Sequence, residues 1–399
     1  MTKSFALKLL LFVAIVLGGC HPKNKGIPAH YLPMLEAAFV KAGANAIEIE
    51  RALYDSPYAQ REGMAFIISH MPEHDLQTLT AAFLLENAHY AYHAREVFPW
   101  GRELPDSVFY NDVLPYVILN ETRDNWRKDF FERFSHYLEG VTTIQAAVDT
   151  INKVIRDEVL VDYSTKRDKP DQSPYESMRI NMASCSGLSI LLTDAFRAVA
   201  IPSRIAGTPN WHDMRGNHNW NEVWIEGEWY FTEYYSSGLN QSWFLADAGK
   251  ADPNNPETSI FASSWKTTGR HFPLVWARNN HSVPGLNVTE RYLAIYQADE
   301  ALKASNLNKV AIEVRMFRNA NARSGDERVR TRVELLLGKD TVGFGYTSGP
   351  TQDMNDVLTF YVDQNSEFTL AYSDFAGEPV QQTLKSGVDK MQMQLNFEK

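Results

Sequence analysis

Three residues in the middle of the chain, Cys185, His218 and Glu233, carry side chains that together could perform thiol chemistry. A thiolate is a nucleophile, an imidazole can take the thiol proton, and a carboxylate can orient the imidazole and balance its charge. In that combination they point to attack on an amide carbonyl, with a thioester intermediate. The backbone N–H of Cys185 is an oxyanion donor if it opens a helix. The sequence names no second donor.

The elements that must position these groups follow from local spacing. Leu188, Leu191, Leu192, Ala195, Phe196 and Val199 recur at helical intervals and form one apolar face. Cys185, one turn ahead of Leu188, falls on the same stripe at the helix start. Ser184 is the predicted N-cap, and Gly187 permits close approach of another backbone. The positive end of the helix favours the thiolate.

Downstream, His218, Trp220, Glu222 and Trp224 alternate with Asn219, Asn221, Val223 and Ile225, the period of a strand. Glu226-Gly227 reads as a two-residue turn and Trp229 to Tyr235 as the return strand. This register sets Ile225 opposite Glu228, Trp220 opposite Glu233 and His218 opposite Tyr235. His218 and Glu233 become diagonal neighbours on one face, about 6–8 Å apart at Cβ. Glu222 shares the face but lies about 13 Å along the strand, too far to orient His218. A three-residue loop would instead turn Glu233 to the other face. The tryptophans read as core.

This stretch resembles the transglutaminase-like superfamily. The resemblance rests on Cys185 at a helix start, on Ala200-Ile201-Pro202-Ser203-Arg204, on His218-Asn219-Trp220-Asn221-Glu222-Val223-Trp224, and on Trp229 followed by Glu233. Family members more often carry Asp at the acid, and often Gly where Ala200 stands. The resemblance implies an α+β, papain-type core with Cys185, His218 and Glu233 as catalytic residues. Cofactor, nucleotide and metal are not expected; His212, Asp213 and His218 lack the spacing of a common zinc site. Looser similarity at Asn87-Ala88-His89, Leu114-Pro115-Tyr116 and Asn125-Trp126-Arg127 implies no site residue.

The chain has 399 residues, room for two or three domains, and its apolar share of 44% suits a folded protein. Residues 1–19 read as a lipoprotein signal peptide: Lys3 and Lys8 precede an apolar run, Leu9 to Leu17, too short to span a bilayer. Leu17-Gly18-Gly19-Cys20 resembles a bacterial lipobox, which implies lipidation at Cys20. Cys185 is the only other cysteine, so it has no intramolecular partner, and an unpaired cysteine in an exported chain points to a reactive thiol. His21 and Pro22 follow Cys20 with no Asp, which by analogy favours the outer over the inner membrane of a bacterial cell envelope. Net charge is −10, and −12 without residues 1–19. An acidic chain with no basic run argues against nucleic acid as partner. The expected partners are a protein or peptide substrate and the membrane, reached through the N-terminal lipid.

The domain reading assigns 27–165 to a helical N-terminal region, able to wall one side of the cleft. Within it Leu76 to Glu96 is one helix capped by Asp75. Residues 166–272 are the transglutaminase-like core and 273–305 a connector. Alternating segments over 306–399 form an antiparallel, Ig-like β-sandwich of six or seven short strands. Three functions remain open. The preferred one is a peptidase or amidase acting through a thioester. A protein-glutamine transglutaminase uses the same three residues with an amine as acceptor. An inactive surface protein that binds peptide or glycan is the reading from another class, favoured by Glu in place of Asp.

Overall fold

The computed structural model describes residues 24–305, 308–322, 324–352 and 357–398. The expected signal segment and Cys20 lie outside the described residues. Among the described residues, no helix is long and apolar enough to cross a membrane. The architecture is α+β: an N-terminal helical region, a mixed core and a C-terminal sandwich of two sheets.

Helices Leu32–Ala42, Ala46–Asp55, Arg61–Ser69, Glu73–Thr78 and Ala81–Val97 open the fold and close over Leu35, Leu53, Ile68 and Leu84. The single helix expected from Leu76 to Glu96 is divided. Thr80, not Asp75, caps the second piece, accepting from the Phe83 N–H at 3.2 Å. Asp75 is buried and accepts from the Tyr116 hydroxyl (2.8 Å) and the Arg123 guanidinium (3.0 Å). Both partners are far away in sequence, so local spacing could not reveal its role. Arg127, on helix Arg127–Ser135, ties this region to the core. It donates to Asn87 Oδ1 (2.6 Å), to the Pro115 carbonyl (2.8 Å) and to the Arg197 carbonyl (3.1 Å).

A short parallel ladder of β1 (Asp162–Tyr163) and β2 (Met182–Ala183) delivers the chain to helix Cys185–Ala198. The main sheet contains β3 (Ser203–Thr208), β4 (His218–Ile225), β5 (Glu228–Thr232), β6 (Phe261–Ser263) and β7 (Gly285–Asn287), in the order β5-β4-β3-β6-β7, all antiparallel. Alternation on β4 divides its side chains between two cores. Val223 packs with the Cys185 helix and helix Ile144–Val159, whereas Trp220 packs with Phe231, Phe244 and Tyr292. Residues 273–305 are not a free connector: β7 extends the sheet, and helix Thr289–Ser305 places Tyr292 in the core beneath Trp220. Ala200 has φ 58°, a left-handed conformation that glycine adopts without the steric cost an alanine bears.

Among the described residues, seven strands build the sandwich: β8 (Lys309–Phe317), β9 (Arg332–Leu337), β10 (Asp340–Tyr346), β11 (Leu358–Asp363), β12 (Glu367–Ser373), β13 (Pro379–Lys385) and β14 (Met391–Asn396). Sheets β10-β9-β12-β13 and β11-β8-β14 enclose Ile312, Val314, Val333 and Leu370. The pairing is antiparallel except at β14, which runs parallel to β8, a departure from the all-antiparallel expectation.

Glu222 holds the sheet to its outer helix. It is 1% exposed and meets Arg204 (2.7 Å), Arg291 (2.7 Å) and the Tyr292 hydroxyl (2.9 Å). Burial pushes its carboxyl up, but Arg204 and then Arg291 hold it below the ordinary carboxylate value. Its contribution to stability is therefore present above the ordinary carboxylate pKa and fades as pH falls through the depressed one. Glu222→Ala leaves Arg204 buried and unpaired and should cost about 3–5 kcal/mol, seen in urea as an earlier core transition. A midpoint unchanged from wild type would contradict this role.

Candidate active site

Cys185 is the first residue of its helix, and Ser184 caps it as expected, accepting from the Gly187 N–H at 3.0 Å. The Ser184 hydroxyl also donates to the Pro170 carbonyl, which anchors the preceding loop. Glycine at 187 allows close packing: a Cβ there would lie 3.0 Å from that of Ala183, which would have to give by a few tenths of an ångström. Later turns of the helix are buried, so the thiol sits at the end of a fixed rod, itself half-buried.

His218 is the first residue of β4, opposite Thr208 of β3. Its neighbours rivet that strand to the Cys185 helix. Asn219 Nδ2 donates to Ser186 Oγ (2.8 Å), and Asn221 Nδ2 donates to the Ser189 carbonyl and Thr193 Oγ1 (both 2.8 Å). Gly207 makes room for this: a Cβ there would collide with Asn219 and stand 2.8 Å from the His218 carbonyl oxygen. The imidazole lies among Trp243 (5.2 Å between ring centres), Phe244 (5.5 Å) and Trp211 (6.0 Å). Trp220 is core, as expected for the tryptophans, but Trp211 and Trp243 line the cleft.

Glu226 (φ 49°) and Gly227 (φ 104°) both take positive φ, the signature of a two-residue type I′ turn. Ile225 faces Glu228, and the pairing continues to Asn221 opposite Thr232. The return strand then ends at Thr232, short of the expected Tyr235, and His218 has no partner on it. A loop follows, and Asn240 closes it against the outer edge of β5. The Asn240 N–H donates to the Phe231 carbonyl (2.9 Å) and its Oδ1 accepts from the Phe231 N–H (2.9 Å), with 233–239 looping out between them.

Glu233 still turns back toward the imidazole. His218 Nε2 and Glu233 Oε2 are 3.8 Å apart, an ion-pair separation longer than a hydrogen bond. The other carboxylate oxygen accepts from the Ser242 hydroxyl. Only 16% of the His218 side chain and 13% of that of Glu233 are exposed, so little water screens the pair.

Protonation follows from these contacts. Burial pushes the Cys185 thiol up, but it is outweighed by the hydrogen bond with His218, the imidazole charge, the Asn219 N–H and the Ser186 hydroxyl. The net pKa falls below the ordinary thiol value. Burial likewise works against charge on His218, yet the Cys185 thiolate and the nearby Glu233 carboxylate push it up to about 9. Both directions favour a thiolate–imidazolium pair at neutral pH.

The three side chains line one cleft of about 240 Å³ with Tyr163, Trp211, Tyr235 and Trp243. From the region 27–165 the cleft receives Tyr163, close to its C-terminal end. His212 and Asp213 are engaged elsewhere, with Asp247 (3.3 Å) and Arg215 (2.6 Å) respectively. Ser242 went unrecognised in the sequence because a lone serine in a polar loop has no spacing signal. Thr351 and Gln352, from the sandwich, also reach the cleft.

Residues 132–234 match the family model of the transglutaminase-like superfamily, about a quarter of the chain. That range takes in Cys185, His218 and Glu233. A search of curated proteins returns no match. Among solved structures, one described as a proposed cysteine protease from Cytophaga hutchinsonii is 21% identical, with a TM-score of 0.24. The match covers 35% of this chain and 48% of that one, so the chain spans about half the length of that protein.

Alkylation of Cys185 by iodoacetamide in the folded protein should titrate below the free-thiol value of about 8.5. In His218→Ala the titration should move upward. A thiol that reacts only after unfolding would make Cys185 a core residue.

Proposed function

We propose that the transglutaminase-like domain of this chain is a thiol acyl-transfer enzyme that hydrolyses peptide or side-chain amides. One observation carries the reading: Cys185, at a helix N-terminus, lines one cleft with His218 and Glu233. Cys185 Sγ attacks the amide carbonyl while its N–H, at the helix start, receives the developing oxyanion. The C–N bond breaks, and the leaving amine takes a proton from the His218 imidazolium. Water then adds to the thioester and passes a proton to His218, the C–S bond breaks, and the acid departs as Cys185 is restored. Glu233, steadied by Ser242, balances the imidazolium charge. Hydrolysis is preferred over amine transfer because water is always available, whereas an amine requires a site of its own.

The surface-binding reading draws on the 3.8 Å gap between His218 and Glu233, which leaves the imidazole without a hydrogen-bonded acid. Export and lipidation at Cys20, with anchoring in the outer membrane of a bacterial cell envelope, complete the proposal. They are supported by the run Leu9 to Leu17 and by Gly18-Gly19-Cys20. Fatty-acid labelling of the expressed chain should be lost in Cys20→Ala.

Incubation with glutamine-bearing peptides and a labelled primary amine separates the readings. Hydrolysis predicts release of amine or ammonia, an acyl adduct on Cys185 by mass spectrometry, and no incorporated label. Activity should vanish in Cys185→Ala and fall about 10²–10⁴-fold in His218→Ala. Incorporated label would assign transamidation. A peptide retained equally by wild type and Cys185→Ala, with no adduct, would support binding without chemistry.

A further inference from the structure

The cleft holds about 240 Å³, below the ~300–1,000 Å³ of pockets that enclose drug-sized ligands. Part of its lining comes from outside the core. Gln352 lines it from a loop of the sandwich, and that side chain is fixed in place. Its Oε1 accepts from the Gly349 N–H (2.6 Å) and from Arg330 Nη1 (2.9 Å), and its carbonyl accepts from Arg328 Nη2 (2.7 Å). The Arg330 guanidinium carbon stands 3.1 Å from the centre of the Tyr235 ring, a cation–π contact across the two domains. Tyr235 lines the cleft as well. Its hydroxyl oxygen accepts from the Tyr163 N–H (2.7 Å) and its proton goes to Asp162 Oδ1 (3.1 Å). One guanidinium therefore links the sandwich loop to Tyr235 and, through the Tyr235 hydroxyl, to Tyr163.

We infer that the sandwich is part of the substrate site and limits what reaches Cys185 to compact groups, so that the reacting amide is carried on a side chain or on a chain-terminal residue. An internal peptide bond arrives with chain on both sides, each residue adding about 3.3–3.6 Å. Such a chain requires a groove that continues past Thr351 and Gln352. The term substrate rests on the acyl-transfer reading, whereas control of access by the sandwich is testable apart from it.

The test compares two reagents on the full chain, iodoacetamide and a peptide whose main chain is interrupted by an epoxysuccinyl unit, so that chain extends from both sides of the reacting carbon. The pH is set about one unit above the free-thiol value of ~8.5, where Cys185 is ionised with or without His218. The readout is the ratio of the two rates. Wild type should disfavour the peptide reagent strongly, and Arg330→Ala and Gln352→Ala should each narrow the ratio by about tenfold. Thr351→Trp should widen it. If Arg330→Ala loses cooperative unfolding, Gln352→Ala and Thr351→Trp still decide. The same ratio in every folded variant would overturn the inference. The pH profile with iodoacetamide alone judges the nucleophile, so an ordinary thiol pKa would sink the catalytic reading while the ratio still judges the wall.

Discussion

The contact between the Cys185 thiol and the His218 imidazole is the constraint around which the core is arranged. Each group raises the charged fraction of the other against the cost of burial, so the two shifts reinforce one another. That reinforcement demands fixed positions. The helix supplies one through its Ser184 cap and its buried length, and β4 supplies the other through Asn219 and Asn221. Gly207 lets the strands close where a methyl group would push Asn219 aside. Glu222, with its two arginines, secures the opposite face of the sheet. The surrounding architecture thus acts largely as a clamp on two side chains.

Glu233 stands in a looser relation to this pair. Its carboxylate is an ion-pair distance from the imidazole, and one oxygen is committed to Ser242. The added methylene of Glu relative to Asp lengthens the side chain, and the loop that follows Thr232 sets where it begins. An acid held by a hydroxyl can still stabilise the imidazolium through space in a poorly screened cleft. The proposed mechanism needs this electrostatic role.

Much of the site was legible in the sequence because its determinants are local. The helix stripe, the Ser184 cap and the Glu226-Gly227 turn each depend on a few adjacent residues, and all three take the expected form. Periodicity on β4 likewise identified which residues share a face with His218. What local spacing could not show were features set by distant partners. The return strand stops at Thr232, and Asn240, nine residues on from Phe231, closes the loop against Phe231. Asp75 is drawn from a cap into a pair with Arg123, and β14 reaches back to lie beside β8 in parallel. Gln352 reaches a cleft built mainly by residues more than a hundred positions earlier, a relation that no window of sequence contains.

The charge state of His218 is the most direct test of the account. Nitrogen and proton NMR of the imidazole, followed through a pH titration of the full chain, reads it without a substrate. The account predicts an imidazolium that persists to about pH 9 in the wild type. In Cys185→Ala the titration should fall by more than one unit, because the thiolate that sustains the charge is gone. A His218 that is neutral at pH 7 in the wild type, or one whose titration is unmoved by Cys185→Ala, would contradict the ion pair on which the proposed chemistry rests.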